Sequence, residues 1–217
     1  LYDRIALEAL APYAPWPTLS AFWGARLRQI RDWFLDGEAE RGGLGAPAAL
    51  EAFGVLQFDT ALGAAWLTAK ADRIDRLEAG GYAIYDYKAG DPPTETQRAV
   101  FAKQLPLEAA ILAAEGFEGA PPAAVEKLAY LSLGGGEQGG RETVLEEGAP
   151  KARAEDALRG LIKLLGGYAN PDQGYAARSR PQHLAFEGDY DHLSRLGEWR
   201  PERGGAEEAN KKGGSKR

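Results

Sequence analysis

The sequence has 217 residues, of which 44% are hydrophobic, and a net charge of −6 at neutral pH. That is enough apolar material for one sizeable core, so we expect a globular domain. No apolar run approaches the roughly 18 residues that a membrane span requires. Cysteine is absent, which excludes disulfides, zinc–thiolate sites and iron–sulfur clusters and is compatible with the reducing cytoplasm.

The two ends of the sequence lead to different expectations about the protein. The chain starts at Leu1 and contains no methionine, although a chain of this length ordinarily has several, so we expect a fragment of a larger protein. Residues 1–200 are expected to form one domain, since no internal repeat is evident. Residues 201–217 are polar, glycine-rich and without a core pattern, which predicts a disordered tail.

The first predicted elements are helices. A short helix is expected over residues 5–10, followed by a loop that contains three prolines. Residues 21–41 repeat apolar side chains at helical spacing, which predicts an amphipathic helix with Thr18 or Ser20 as its N-cap. One or two further helical turns are expected over residues 47–53.

Three antiparallel strands are predicted next. The first covers residues 55–58 and the second begins at Ala65. The third, residues 82–88, is rich in β-branched and aromatic side chains and follows the pair Gly80-Gly81, which is a strong hairpin signal. The second and third strands are therefore predicted to form a tight hairpin.

The remainder of the sequence predicts further helices and strands. Thr94 can cap a helix that begins near Glu95, and Pro106 is tolerated only in the first turn of the next helix. The later predicted elements are a helix over 104–115, strands over 127–133 and 142–145, a helix over 152–168, a loop over 170–180 and a final ordered segment over 190–199.

The predicted hairpin concentrates charged residues. Alternate side chains of a strand share a face, so Asp86 and Lys88 lie on one face together with Ile84. If Asp72 of the preceding strand lies on the same face, two carboxylates and one ammonium group converge.

Two carboxylates beside a lysine suit metal-assisted hydrolysis of a phosphodiester. Mg²⁺ prefers oxygen ligands and keeps several waters, so the candidate ligands are Asp72, Asp86 and the carbonyl of Tyr87. Lys88 can orient or activate the attacking water and offset charge on the phosphate. The alternative is a solvated hairpin face without a catalytic role.

The order of these residues resembles a known nuclease core. Asp72, then Asp-Tyr-Lys at 86–88, then Gln104 at the start of a helix is similar to the PD-(D/E)XK core in its RecB-like form. The segments ADRID, DYKAG and QLPLEAA together resemble the C-terminal nuclease domain of AddB, the subunit of bacterial AddAB helicase-nucleases whose helicase is partly inactivated. The resemblance covers residues 21–199 and is most specific over 68–119.

This resemblance implies a fold, an activity and partners. The fold is an α/β domain with a restriction-endonuclease-like mixed central β-sheet flanked by helices. The activity is that of a Mg²⁺-dependent DNA exonuclease module of a double-strand-break repair helicase-nuclease, with Mn²⁺ as an alternative metal. The partners are DNA and an AddA-like subunit, and the implied location is the cytoplasm.

The resemblance also assigns roles to individual residues. Asp72 and Asp86 are implied metal ligands, Lys88 acts on water and phosphate, and Gln104 lies near the metal-bound water or the substrate phosphate. Four residues after Gln104, where the family commonly has Tyr, this chain has Glu108. It is either an acid near the metal site or only a helix-forming residue.

Two features count against an active nuclease. RecB-like nucleases usually carry a His in a Gly-Thr-x-x-His type of motif before the first strand, and His183 and His192 lie too far downstream to be that residue. The net negative charge is unfavourable because phosphate binding normally uses clustered Lys and Arg, although neighbouring domains can supply a basic channel. The rival interpretation is a catalytically silent scaffold that binds DNA or docks a partner subunit. A nucleotide-binding motor is disfavoured because no phosphate-binding loop motif is present.

Other charged residues of the hairpin are predicted to be structural. Asp75 falls on the face opposite Asp72 and is expected to pair with Arg73 or Arg76. Lys70 shares the Asp72 face by alternation and could reach a phosphate, although an exposed strand lysine is the commoner state. Tyr85 and Tyr87 of the third strand are expected to pack in the core or between strands.

Overall fold

The computed structural model of the chain describes residues 1–134, 139–147 and 150–174. The chain divides into two units, residues 1–171 and 172–217, and the described helices and strands all lie in the first. The predicted segment 190–199, the tail 201–217 and residues 175–180 of the predicted loop lie outside the described residues. In chain order the elements are α1 (Tyr2–Leu10), α2 (Pro17–Gly42), β1 (Gly45–Thr60), β2 (Gly63–Leu77), β3 (Tyr82–Lys88), α3 (Glu95–Val100), α4 (Gln104–Ala114), β4 (Val125–Ser132), β5 (Arg141–Glu147) and α5 (Pro150–Gly167).

The five strands form one mixed sheet in sequence order. β1–β2, β2–β3 and β4–β5 pair antiparallel, whereas β3 and β4 pair parallel. A parallel pair requires a crossover connection, and α3 and α4 supply it between β3 and β4. The predicted α/β fold with a mixed central sheet flanked by helices is confirmed. No helix within the described ranges is long and apolar enough to cross a membrane.

Alternate residues of β3 face the two sides of the sheet. Ile84 packs into the larger core cluster together with Leu105 and Ile111 of α4. Tyr85 belongs to a smaller cluster on the other side, against which Trp33 of α2 packs. This alternation follows from the pleat of the strand, and it assigns α4 to one face and α2 to the other.

Two local predictions are confirmed. Gly80 and Gly81 form the turn between β2 and β3, and both have positive φ, at 100° and 74°, a conformation that glycine adopts without steric cost. Thr94 caps α3, because its hydroxyl accepts from the Gln97 backbone while the Gln97 side chain accepts from the Thr94 backbone. Both signals are local in sequence, so they do not depend on the tertiary fold.

The expectation of helical turns over residues 47–53 is wrong, because these residues belong to β1. Ala52, Gly54 and Leu56 are buried while the residues between them are exposed, which is the period of a half-buried strand. Pro47 is tolerated because the register with β2 shifts directly after it, and proline within sheets occurs at such irregularities.

The predicted cap of α2 is also wrong. The helix begins at Pro17, before Thr18 and Ser20, and its N-cap Trp16 makes no side-chain capping bond. Proline at the first position of a helix has a φ suited to the helix and lacks an N–H that would need a partner. A capping side chain is therefore less necessary here.

A buried charge network attaches α2 to the second face of the sheet. Arg73 of β2 makes two parallel contacts with Asp75, at 2.6 and 2.8 Å, and binds both oxygens of Glu38 in α2 at 2.7 Å. Arg41 of α2 binds the same Glu38 carboxylate, and both guanidinium groups lie 5.7 Å from the ring of Tyr85. The predicted pairing of Asp75 with Arg73 is confirmed, and the positive charges of this network are matched by acids.

Asp75→Ala is expected to lower the free energy of unfolding by about 3 kcal/mol, because it leaves the buried Arg73 without its closest partner. Urea unfolding followed by circular dichroism measures this. The control is Glu8→Ala, since Glu8 pairs with Arg4 on the surface and exposed pairs contribute at most about 1 kcal/mol. Equal losses in the two variants would contradict a stabilising role of the buried network.

Candidate active site

The residues predicted for catalysis come together at the C-terminal end of β3. Asp86 and Lys88 lie two residues apart on this strand, and Gln104 is the first residue of α4, which packs on the same face of the sheet. The antiparallel register of β2 and β3 reaches Arg73 opposite Tyr85, and the neighbouring Asp72 contacts the backbone of Tyr87 and acts electrostatically on Asp86. The two carboxylates and the lysine therefore lie together in the structure.

Asp86 is the centre of the contacts in this cluster. Lys88 Nζ lies 2.6 Å from Asp86 Oδ2, and Gln104 Nε2 donates a hydrogen bond to Oδ1 at 2.9 Å. The same Gln104 nitrogen donates to Glu108 Oε1 at 3.0 Å. Asp86 is only 2% exposed, so its charge depends on these groups rather than on water.

Asp72 is attached to the main chain of β3. Its Oδ2 accepts a hydrogen bond from the backbone N–H of Tyr87 at 2.8 Å. In a strand the N–H and C=O of one residue point toward the same antiparallel neighbour, so the Tyr87 carbonyl lies on the Asp72 side of β3. That is where the sequence predicts a third oxygen ligand.

Glu108 is the acid whose role the sequence leaves open, and it is buried on α4 with 2% exposure. Its Oε1 accepts from Gln104, but its Oε2 is buried without a hydrogen-bond partner. Burial is the main cause that raises the pKa of Glu108 to about 7; the charges of Asp86 and Asp72 contribute to this rise, and Gln104 and Lys88 oppose it. A buried unpartnered acceptor costs free energy, and whether Glu108 acts at the metal site stays a prediction.

The charge on Asp86 is also disfavoured on balance. Burial is the main cause of its raised pKa, Asp72 adds to it, and Lys88 and Gln104 act against it. Asp86 Oδ2 lacks an aligned hydrogen bond although the Lys88 ammonium is only 2.6 Å away. The short distance is what makes Lys88 a partner of Asp86, because the attraction between opposite charges does not depend on the hydrogen-bond angle.

The donor set suits a divalent cation. The Asp72 and Asp86 carboxylates and the Tyr87 carbonyl supply the oxygens that Mg²⁺ prefers, and the unpartnered oxygen of Glu108 points to a missing positive partner. Within the described part of the chain, no group of three or more His, Cys, Asp or Glu side chains is already arranged to hold a metal ion. Lys88 and Gln104 contact the acids instead, so a cation held by these oxygens would have to displace some of these contacts.

Strict alternation along β2 breaks beside Asp72. Ala71 and Ile74 are three residues apart yet belong to the same core cluster. Lys70 is exposed and pairs with Glu51 of β1 at 2.7 Å, which is the commoner state expected of a strand lysine. Glu51 lies opposite Asp72 and has a φ of 51°, which non-glycine residues rarely adopt. Both strands therefore depart from regular geometry at the position that presents Asp72.

Two hollows of the surface lie away from the acid cluster. Two open hollows of about 710 and 630 Å³ are found at the turn between β2 and β3, where Gly80 lines both. This turn precedes β3, whereas the acid cluster lies at its far end. The hollows contain none of the clustered acids, so the buried charge rather than the size of a hollow marks the candidate site.

Arg26 of α2 is a residue beside the site that sequence reasoning missed. Its guanidinium donates to the carbonyls of Ala89, at 2.8 Å, and Gly134, at 3.1 Å, and lies 5.5 Å from the ring of Trp23. Ala89 directly follows β3 and Gly134 lies just beyond β4, so Arg26 joins the ends of the parallel pair. The partners are 63 and 108 residues away in sequence, and no local pattern indicates them.

Comparison with known proteins identifies the family. A sequence profile of the PD-(D/E)XK nuclease superfamily matches residues 2–182. The chain belongs to the PD-(D/E)XK nuclease superfamily. A comparison with curated proteins finds no match.

Membership of the PD-(D/E)XK superfamily implies nuclease activity, that is, hydrolysis of phosphodiester bonds, with DNA as the substrate and divalent metal ions as the general cofactor. Asp72 and the triplet Asp-Tyr-Lys at 86–88 stand in the order that the family name describes. Their catalytic and metal-binding roles remain predictions, as does that of Gln104. His183 and His192 lie outside the described residues.

Glu108→Gln is expected to stabilise the metal-free protein by about 2 kcal/mol at pH 8, since it removes a buried charge. Because the pKa of Glu108 is raised to about 7 in the folded protein, its carboxyl group ionises there at higher pH than in the unfolded chain. The folding stability that is fully present below pH 4.5 is therefore lost as the pH rises through about 7. The gain from the substitution should therefore be small at pH 5 and full at pH 8. Urea unfolding in EDTA at both pH values measures it.

The control is Glu115→Gln, since Glu115 is exposed at the C-terminus of α4. It should show no gain that depends on pH. A gain of the same size at pH 5 and pH 8 in Glu108→Gln would contradict a buried carboxylate with a raised pKa.

Proposed function

We propose that this chain is the nuclease module of a double-strand-break repair helicase-nuclease of the AddB type. It acts as a Mg²⁺-dependent DNA exonuclease, with Mn²⁺ as an alternative metal, and assembles with an AddA-like partner subunit in the cytoplasm. The observation that carries the proposal is the convergence of Asp72, Asp86, Lys88 and Gln104 at the end of β3, in a chain of the PD-(D/E)XK superfamily. The segments ADRID, DYKAG and QLPLEAA support the AddB resemblance.

The roles follow from what each group can do. Bound divalent metal supplies a nucleophile at neutral pH and stabilises the charge that develops on the phosphate. Asp72 and Asp86 hold it through carboxylate oxygens, with the carbonyl of Tyr87 as the third oxygen. Gln104 orients Asp86 through the hydrogen bond between them.

Lys88 acts on the water and the phosphate. Its side chain is 31% exposed, whereas that of Asp86 is 3% exposed, so the ammonium group bridges the buried acid and the solvent from which a substrate arrives. An ammonium group in this position offsets the charge of a phosphate oxygen and orients the attacking water. The exposure of Lys88 is consistent with a role toward substrate rather than toward the core.

DNA binding in this proposal depends on the assembled enzyme. The net charge of the chain is −6, and phosphate binding relies on clustered Lys and Arg. The partner subunit or a neighbouring domain therefore supplies most of the positive channel, and this chain supplies the reacting groups. The mechanism needs only a few positive groups locally, because the metal carries the largest charge at the reaction centre.

The second candidate is a catalytically silent scaffold that binds DNA or docks a partner subunit. The observation in its favour is that no metal-holding group of three acidic, His or Cys side chains is preformed in residues 1–134, 139–147 and 150–174. In the scaffold, the contact between Lys88 and Asp86 is a structural ion pair.

Cleavage assays separate the two candidates. Asp86→Ala is expected to reduce single-turnover cleavage of DNA by the assembled enzyme at least about 100-fold, because it removes a metal ligand. Lys88→Ala should reduce cleavage similarly but keep the metal affinity, because it removes a nearby positive charge rather than a ligand. Calorimetric metal titration beside the cleavage assay distinguishes the two effects.

Two controls accompany these variants. Lys151→Ala removes a lysine that is 86% exposed on α5 and should cleave at the wild-type rate. Asp75→Asn changes the buried network on the other face of the sheet and should affect stability more than the cleavage rate. Undiminished cleavage by both Asp86→Ala and Lys88→Ala would favour the scaffold.

A further inference from the structure

Glu108 is a buried acid that the proposed mechanism does not use. It lies on α4 among apolar residues, and the members of α4 that share its burial are Leu105, Pro106, Ala109, Ala110, Ile111 and Leu112. A carboxylate in such surroundings is costly unless a positive group or hydrogen-bond donors satisfy it. The described structure supplies only one donor, the amide of Gln104.

The two oxygens of Glu108 have different surroundings. Oε1 is bound by Gln104 Nε2 at 3.0 Å, and this same nitrogen binds Asp86 Oδ1 at 2.9 Å. Two acids that contact one nitrogen atom lie close enough to share a cation after small side-chain rotations. Oε2 is fully buried and has no hydrogen-bond partner, so it is the atom that most needs a positive group.

The charges around Glu108 agree with this arrangement. Asp86 and Asp72 both act on it as negative neighbours, and Lys88 is the positive one. Three carboxylates therefore face one ammonium group, which is itself in contact with Asp86 at 2.6 Å. A divalent cation is the class of ligand that can balance such a group.

We infer that Glu108 is a third carboxylate ligand of the divalent cation, which it binds through an oxygen together with Asp72 and Asp86. This inference rests on the proposed metal-dependent function and deepens it. It places a metal ligand on α4, one turn after Gln104, at a position where the family commonly has Tyr. The unpartnered Oε2 of Glu108 would be the oxygen that binds the cation.

The test is calorimetric titration of the protein with Mn²⁺ in the absence of DNA, so that the readout is metal affinity rather than activity. Glu108→Gln is expected to weaken Mn²⁺ binding at least about 10-fold, whereas Glu108→Asp, which keeps a carboxylate, should recover part of the loss. Glu115→Gln changes an exposed acid at the end of the same helix and should bind as the wild type does. Wild-type affinity in Glu108→Gln would overturn the inference.

Gln104→Leu separates ligation from positioning. If Glu108 binds the cation directly, adding Glu108→Gln to Gln104→Leu should weaken Mn²⁺ binding further, by about the factor that Glu108→Gln alone causes in the wild type. If Glu108 only orients Gln104, the double variant should bind Mn²⁺ as Gln104→Leu alone does, and this result would also overturn the inference.

The same titration distinguishes failure of the inference from failure of the proposed function. If Asp86→Ala abolishes Mn²⁺ binding but Glu108→Gln leaves it intact, Glu108 is not a ligand. The proposed metal site is then still supported. Absence of Mn²⁺ binding by the wild-type chain overturns both.

Discussion

Three carboxylates share the end of β3 with one ammonium group and one amide, and this imbalance of charge governs the site. Burial and the neighbouring acids raise the pKa of Asp86 and of Glu108, while Lys88 and Gln104 offset only part of the effect. Such a cluster is costly in the absence of a further positive group. It persists because the parallel pairing of β3 with β4 and the apolar packing of α4 fix the backbone on which these side chains stand. A bound divalent cation would turn this cost into binding free energy.

The opposite face of the sheet shows what a satisfied charge network looks like in the same chain. There Arg73 is buried between Asp75 and Glu38, and Arg41 contacts Glu38 and Glu142, so each guanidinium is matched to acids. The two networks lie on neighbouring residues of the same strands but differ in balance. A balanced network is what structural attachment of α2 requires, whereas buried acids in excess are characteristic of a functional site. This contrast is the strongest argument against a purely structural role for Asp86.

The sequence predicts those parts of the structure that are determined locally. The Gly80-Gly81 turn and the Thr94 cap follow from single residues with well-defined backbone preferences, and strand alternation correctly brings Asp86 and Lys88 to one face. The first part of β1 could not be predicted, because its small residues become a strand only by pairing with β2. The burial of Glu108 and the contacts of Arg26 could not be predicted either, since both depend on how helices pack against distant strands.

A divalent cation bound at the end of β3 can be located by anomalous diffraction from Mn²⁺-soaked crystals. We expect one strong anomalous peak within bonding distance of carboxylate oxygens of Asp72 and Asp86, with Lys88 Nζ withdrawn from its 2.6 Å contact with Asp86. The peak should be lost in Asp86→Ala crystals soaked in the same way. The soak should use Mn²⁺ concentrations that support cleavage by the assembled enzyme. If no peak appears at this position and Asp86 keeps its contacts with Lys88 and Gln104, a cation site at the end of β3 is contradicted.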